Sequence, residues 1–366
     1  MKLRTIVLLT AVCSSPLICN ADPFGVASAY NLVTLGTVNA NGQTVIAGTV
    51  NTGSEVTGRV AAYGKILSVG TVGTNLVGGQ LPDPYYNGSV FGGTSFDVIA
   101  NGGSQGNIVI NSDGSAFVNP PVGTFTFNGN GGTKGTLVTG NGSNSPLDFT
   151  ALRNQLQAQS LFLGSTAETT ALAALGEVGT VIGFSRPAGF GGINPSDYIL
   201  YAGNDTLDIF NITAAQFANG QLDIHTNPGA SPTIIINVIG ALNGGVITST
   251  ANGTLEYNEG QHFNSTLTDK ILFNFPDTQA LNLGGEFSAA ILAPFAILNS
   301  GSDIDGTVLV AQLNSSGELH NVEFQGNLPT PPNTPPAVPE PGTLALVGTG
   351  VLSVAGMLRR RKLSVN

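Results

Sequence analysis

The sequence predicts a mainly β body: an irregular right-handed β-helix or solenoid carrying one or two packed helices, with a β-sandwich as the alternative. A single transmembrane sorting helix is expected at the C-terminus. Three observations lead there. Short β-branched runs recur between Gly, Asn, Ser and Asp corners along residues 22–327. Charged residues are 9% of 366, against roughly 25% in an ordinary soluble domain, and the 50 glycines are about twice the usual share. That composition disfavours Lys/Glu-rich bundles and coiled coils. A hydrophobic share of 41% is still enough to bury a core.

The first segment, residues 1–21, reads as a signal peptide. Lys2 and Arg4 give a basic start, Ile6 to Val12 is apolar, and Cys19-Asn20-Ala21 places small residues before a cut after Ala21. Signal peptidase is the expected processing enzyme. Cys13 and Cys19 are the two cysteines of the chain, and both fall in this segment. The mature protein then has no cysteine, which excludes thiolate metal sites and thiol nucleophiles. A body of this size needs no disulfide.

The body, residues 22–327, has no proline-rich or charged linker and reads as one domain. Expected strands include Thr44–Val50, Val56–Ala62, Asp97–Ala100, Asn107–Asn111, Thr124–Asn128, Gly179–Phe184, Tyr198–Tyr201, Thr233–Ile239, Lys270–Phe275, Phe287–Leu292 and Gly306–Ala311. Two stretches, Val45–Ala62 and Ser288–Ala311, set short apolar steps between small corner residues and end in Gly-x-Val-x-Ala or Gly-Thr-Val-x-Val-Ala. Small corners let stacked coils approach while apolar steps face a shared interior. A helix is expected after Asp148 or Thr150, with Leu152, Leu156, Gln159 and Phe162 at helical spacing and Gly164 as its stop. A shorter one is expected over Ala167–Leu175, and a helical turn over Ile212–Ala218 with Thr213 as cap.

The tail has three parts. Residues 328–338 are a Pro-rich extended linker. Pro339, Glu340 and Pro341 follow, then the apolar segment Gly342–Leu358, then Arg359, Arg360, Arg361 and Lys362. As a helix the apolar segment would span about 25 Å, the short end of what crosses a bilayer. The positive-inside rule keeps the basic cluster cytoplasmic and the body on the far side of the inner membrane.

Without its two terminal segments the chain keeps six Lys/Arg and 21 Asp/Glu over residues 22–338, about −15. Such a surface repels phosphate backbones, so nucleic acid is not an expected partner. Solubility or divalent-cation binding suit it better.

Candidate chemistry is sparse. His225, His262 and His320 are scattered and form no zinc-hydrolase motif. Glu318 and His320 alternate and share a strand face; they read as a metal or acid–base pair, or as a hydrogen-bonded closure of the last coil. Asp303 and Asp305, with Asp205 and Asp208, can offer carboxylates to Ca²⁺ or cap their own turns. A polysaccharide-cleaving enzyme would need paired carboxylates or a basic residue beside Ca²⁺. Only Arg59, Lys65, Lys134, Arg153, Arg186 and Lys270 could supply the base, and neither Arg59 nor Arg153 marks a site. Gly129–Gly132 lacks the Lys-Ser/Thr of a phosphate loop. Thr-rich strands suit an ice- or carbohydrate-binding face, though Thr is also simply a good strand residue.

The order Pro339-Glu340-Pro341, Gly342–Leu358, Arg359–Lys362 resembles the PEP-CTERM sorting signal of Gram-negative bacteria. That resemblance implies recognition by the membrane protease exosortase and transfer to the cell surface, in species that commonly make exopolysaccharide and biofilm matrix. The body resembles the choice-of-anchor A domain of bacterial surface proteins through Val56–Gly64, Phe210–Gln216, Thr233–Gly240, Ile291–Pro294, Gly306–Ala311 and Gly317–Gly326. No enzymatic activity is established for that family. The closing Ile-Leu-Ala-Pro to Gly-Thr-Val coil also looks like the β-helix of bacterial ice-binding proteins. The expectation is an exported, non-enzymatic surface or matrix protein, transiently anchored in the inner membrane and adhesive or structural in exopolysaccharide. An ice- or carbohydrate-binding β-helix and a polysaccharide-acting enzyme are the alternatives.

Overall fold

The computed structural model describes residues 23–74, 96–112, 114–128, 135–141, 145–168, 198–202, 206–219, 222–226, 229–240, 245–249, 255–257 and 266–331. The signal peptide, the strand expected at 179–184, most of the helix expected at 167–175 and the sorting tail lie outside the described residues. No helix among the described residues is long and apolar enough to cross a membrane.

Residues Asp22–Pro329 form one compact unit. Its strands stack as coils in parallel ladders. The first ladder runs 207–213, 233–239, 271–274, 290–300, 308–315, 32–34, 60–62, 96–100, 115–118 and 137–139. A second ladder runs 246–248, 280–283, the distal halves of 290–300 and 308–315, 50–52 and 66–68. A third joins 287, 304–305, 319–320, 56, 71–72, 107–110 and 124–127. Among the described strands the one antiparallel pair is the hairpin 37–38 with 44–46. The β-sandwich alternative is therefore wrong: sandwiches are built from antiparallel sheets, whereas here each coil pairs with the next in the same direction.

The stacking order departs from the chain order. Strand 32–34 lies between 308–310 and 60–62, with Val33 opposite Leu309 on one side and Ala61 on the other. The last coils of the body thus stack on its first coils, and the two halves extend from that seam in opposite directions. Nothing local in the sequence encodes such a long-range pairing.

Helix α1, Phe149–Ser165, bridges the halves. Asp148 caps it, its side chain accepting from the backbone amides of Thr150 and Ala151. The helix ends one residue beyond the expected Gly164. Its buried side, including Leu152, Leu156 and Leu163, lies on the outer face of the first ladder and packs with Val33, Ile235, Leu272, Leu292 and Leu309. Alternate residues of the same strands, such as Leu32, Ile234, Ile236, Ile291 and Val308, fill the coil interior. Burial on both faces explains why Thr233–Ile239 reads as a continuous β-branched run instead of an alternating one. Each such side chain contributes about 1.5–3 kcal/mol by leaving water.

Helix α2, Ala214–Asn219, follows strand 207–213 directly. Thr213 and Gln216 form a reciprocal capping box: the Gln216 amide donates to Thr213 Oγ1 (3.2 Å) and the Thr213 amide to Gln216 Oε1 (2.8 Å). This places Phe217 against Phe273, Phe275 and Phe287 in the interior. The expected turn with Thr213 as cap is present, but residues 212 and 213 belong to the preceding strand.

Candidate functional site

The structure brings Asp303, Asp305, Glu318 and His320 together on the third ladder. Strands 304–305 and 319–320 are adjacent, with Asp305 opposite His320. His320 Nδ1 lies 2.5 Å from Asp305 Oδ1, and the other Asp305 oxygen accepts from Ser288 Oγ one coil earlier. His320 Nε2 meets Glu318 Oε2 at 3.3 Å, and Asp303 Oδ1 accepts the Glu318 amide at 2.7 Å. Asp305 is fully buried, whereas the Glu318 side chain is 46% exposed. This relay links three successive coils, separated by 17 and 15 residues, and fits the closure of the last coil.

One rung outward, Glu286, Asp303, Glu318 and Glu55 each precede the paired residues Phe287, Ile304, Leu319 and Val56, so the coil edge is acidic. Among the described residues no group of three or more His, Cys, Asp or Glu could hold a metal ion. The Ca²⁺ expectation thus finds no three-donor group there. Asp208 is buried on the first ladder, away from this cluster in the topology. Asp205, His262, Lys134, Arg186 and the sorting residues 339–341 and 359–362 lie outside the described residues.

Arg59 and Arg153 have structural partners. Arg59 Nε donates to Asp97 Oδ1 at 2.7 Å. Arg153 is buried, donates to the Leu35 carbonyl at 2.9 Å and lies 4.5 Å from the Tyr63 ring centroid. Neither faces a cleft of converging carboxylates among the described residues.

A polar row on the second ladder was not foreseen from the sequence. Thr248, Asn282, Asn299, Asn314 and Asn51 are register partners in successive coils. Asn282 Nδ2 donates to Thr248 Oγ1 (2.9 Å), Asn299 Nδ2 to Asn282 Oδ1 (2.8 Å), and Asn314 Nδ2 to Asn299 Oδ1 (2.9 Å). Their strand neighbours Leu281, Leu298, Leu313 and Val50 point into the core, which fixes every Asn outward. Ser300 and Ser315 help line a shallow groove along the row. Each amide has a second N–H and spare acceptor capacity beyond the row. The missed signal is the recurring Leu/Val-Asn step: Leu281-Asn282, Leu298-Asn299, Leu313-Asn314 and Val50-Asn51.

Residues 23–321 match a family described as "Putative Ice-binding-like adhesive domain", and residues 337–362 match the PEP-CTERM protein-sorting motif. No curated protein matches the chain. Two crystal structures are similar. One is an ice-binding protein from the Antarctic ascomycete Antarctomyces psychrotrophicus, 11% identical, covering 83% of this chain and 98% of that one, with a TM-score of 0.27. The other is a glycosylated ice-binding protein from an Arctic yeast, 13% identical, covering 87% and 97%, also at 0.27.

Proposed function

Because the chain belongs to the ice-binding-like adhesive domain family, we propose that it is an exported, non-enzymatic surface adhesin. Signal peptidase removes residues 1–21, and residues 342–358 hold the body transiently at the inner membrane. Exosortase then acts at Pro339-Glu340-Pro341. The sorting motif at 337–362 supports this route. The choice-of-anchor A resemblance is a finer description of the same surface role, and a right-handed coil is the hand that parallel crossovers favour.

The contact surface in this reading is the Asn row of the second ladder, and that row is the observation that carries it. A straight line of outward amides with unused donors and acceptors suits a repetitive, hydroxyl-rich polymer such as exopolysaccharide. Leu281, Leu298 and Leu313 hold the row in place, so little side-chain freedom is lost on binding. The chain leaves the body beside helix α1, where Gln159 donates to the Pro329 carbonyl at 2.8 Å. The row lies on a different ladder from the one α1 covers.

Co-sedimentation with exopolysaccharide from the producing strain tests this. The wild-type protein should pellet with the polymer, and N299L/N314L should not, at unchanged thermal stability. Equal pelleting of both would overturn the assignment of the row. Fractionation tests the route: the body should leave the cytoplasm, and P339A/E340A should retain the uncut tail. The family description favours one second reading, ice binding by the same face. It predicts thermal hysteresis that N299L/N314L loses.

A further inference from the structure

We propose that the Asn row takes an uncharged, extended glycan of the β-1,4-linked kind, lying along the coil stack with its ring faces on an apolar column beside the amides. The inference rests on the row being the contact surface and adds the class of polymer that fits it. Val246, Ala280, Ile297 and Gln312 are register partners in successive coils, each two residues before Thr248, Asn282, Asn299 and Asn314. The residues between them, Ile247, Leu281, Leu298 and Leu313, are buried in the core, so both columns share the outer face of the second ladder. Val246 is exposed, and Ala280, Ile297 and Gln312 are half-buried.

The columns stand about 6.7 Å apart and step by about 4.8 Å from coil to coil. An equatorially linked pyranose chain is a flat ribbon that advances one ring per step of nearly that length. Axial C–H groups make its two faces apolar, and its hydroxyls line the edges. Laid along the stack, the ribbon covers Val246, Ala280 and Ile297 with ring faces and turns one hydroxyl edge to the amides. A flexible glycan loses chain entropy on straightening to follow both columns. The charge pattern selects within the extended class. Neither column holds a charged side chain, whereas Glu286, Asp303, Glu318 and Glu55 follow Asn282, Asn299, Asn314 and Asn51 by four residues each. Those carboxylates run in a line one corner away, where a polyuronate would meet like charge.

The test incubates the full chain in detergent with amorphous cellulose, bead-coupled dextran and bead-coupled polymannuronate. Cellulose is extended and neutral, dextran neutral but flexible, and polymannuronate extended but charged. We expect the protein to pellet with cellulose alone. V246Q/I297Q should bind cellulose about tenfold more weakly, because two apolar contacts are lost. V246Q by itself alters an exposed side chain and should still weaken binding severalfold, so the test does not depend on I297Q folding. Equal pelleting with all three polymers, a preference for polymannuronate, or cellulose binding unchanged in V246Q/I297Q overturns the proposal. Pelleting with the strain's exopolysaccharide that N299L/N314L loses, without any cellulose binding, overturns the glycan class and leaves the adhesive row standing. Failure with every polymer removes the row itself.

Discussion

Asn274 Nδ2 donates to Asn237 Oδ1 at 2.8 Å beneath helix α1, one coil of the first ladder to the next. Asn237 in turn donates to Asn211 Oδ1 (2.8 Å) and to the Leu163 carbonyl (2.8 Å) near the end of the helix. Ser160 closes the set by donating to Asn274 Oδ1 at 2.6 Å. The protein therefore uses stacked asparagines twice, once outward on the second ladder and once inward to fasten the helix.

Removing the middle member should be expensive. N237A leaves Asn211 Oδ1 and an Asn274 N–H without these partners, and takes one of two donors from the Leu163 carbonyl, which still accepts from the Thr166 amide at 3.0 Å. Each buried unsatisfied group costs about 1–3 kcal/mol. We expect N237A to lower the unfolding free energy by at least about 2 kcal/mol in urea denaturation. A change under about 0.5 kcal/mol would mean the helix is held by its apolar side alone.

The Ser288–Asp305–His320 relay separates buried from exposed partners. Asp305 has no exposure and serves both Ser288 and His320, while nearly half of the Glu318 side chain is exposed. D305A should cost about 2–4 kcal/mol through the orphaned groups it leaves. E318Q should change stability by less than about 1 kcal/mol, as exposed pairs do. Paired thermal melts decide between this closure role and an acid–base site, which would tolerate D305A structurally.

The legible parts of the fold were the local ones. The Gly/Asn/Ser corners of Val45–Ala62 and Ser288–Ala311 predicted stacked coils, and the structure has them. Capping residues marked two helix starts, Asp148 or Thr150 together with the helical spacing of Leu152, Leu156, Gln159 and Phe162, and Thr213; the structure uses Asp148 and Thr213. The strand expected to end at Leu292 instead continues as Ala290–Ser300, because a register shift between Ala293 and Ile297 accommodates Pro294 and turns the chain from one ladder to the next. The seam between Val33 and Leu309 was invisible, since it depends on which coil ends are left open. Of the candidate site, Glu318 with His320 followed from strand alternation, and Asp303 and Asp305 joined them only through the stacking register.

Coil stacking makes a sharp prediction at glycine. A Cβ on Gly306 would lie 2.2 Å from the Ala289 carbonyl oxygen of the neighbouring coil, and backbone there cannot yield cheaply. Gly301, at another corner of the same coil, has nothing within 4 Å. G306A should destabilise by about 1–3 kcal/mol, the usual range for overpacking. G301A should stay within about 0.5 kcal/mol of the wild type, or slightly above it through reduced chain entropy. Equal effects at both positions would contradict the close approach of coils.

Asp269 gives the protein a pH dependence with a defined sign. It sits in the turn Thr268–Lys270, with Oδ1 buried and unpartnered, and burial pushes its pKa above the ordinary 3.8 despite the opposing charge of Lys270. Lys270 Nζ donates instead to the Gln325 carbonyl at 2.7 Å. A carboxyl whose folded pKa is raised binds its proton more tightly in the native state. Its stabilising contribution is complete below the unfolded pKa and is lost as pH rises through the folded one. D269N removes that titration and keeps the side-chain shape. The other carboxylates cancel when the two proteins are compared at each pH. The stability of D269N relative to wild type should therefore increase from pH 3.5 to pH 7, read by urea denaturation at both. A difference that stays constant across that window would show that Asp269 is solvated in the folded protein.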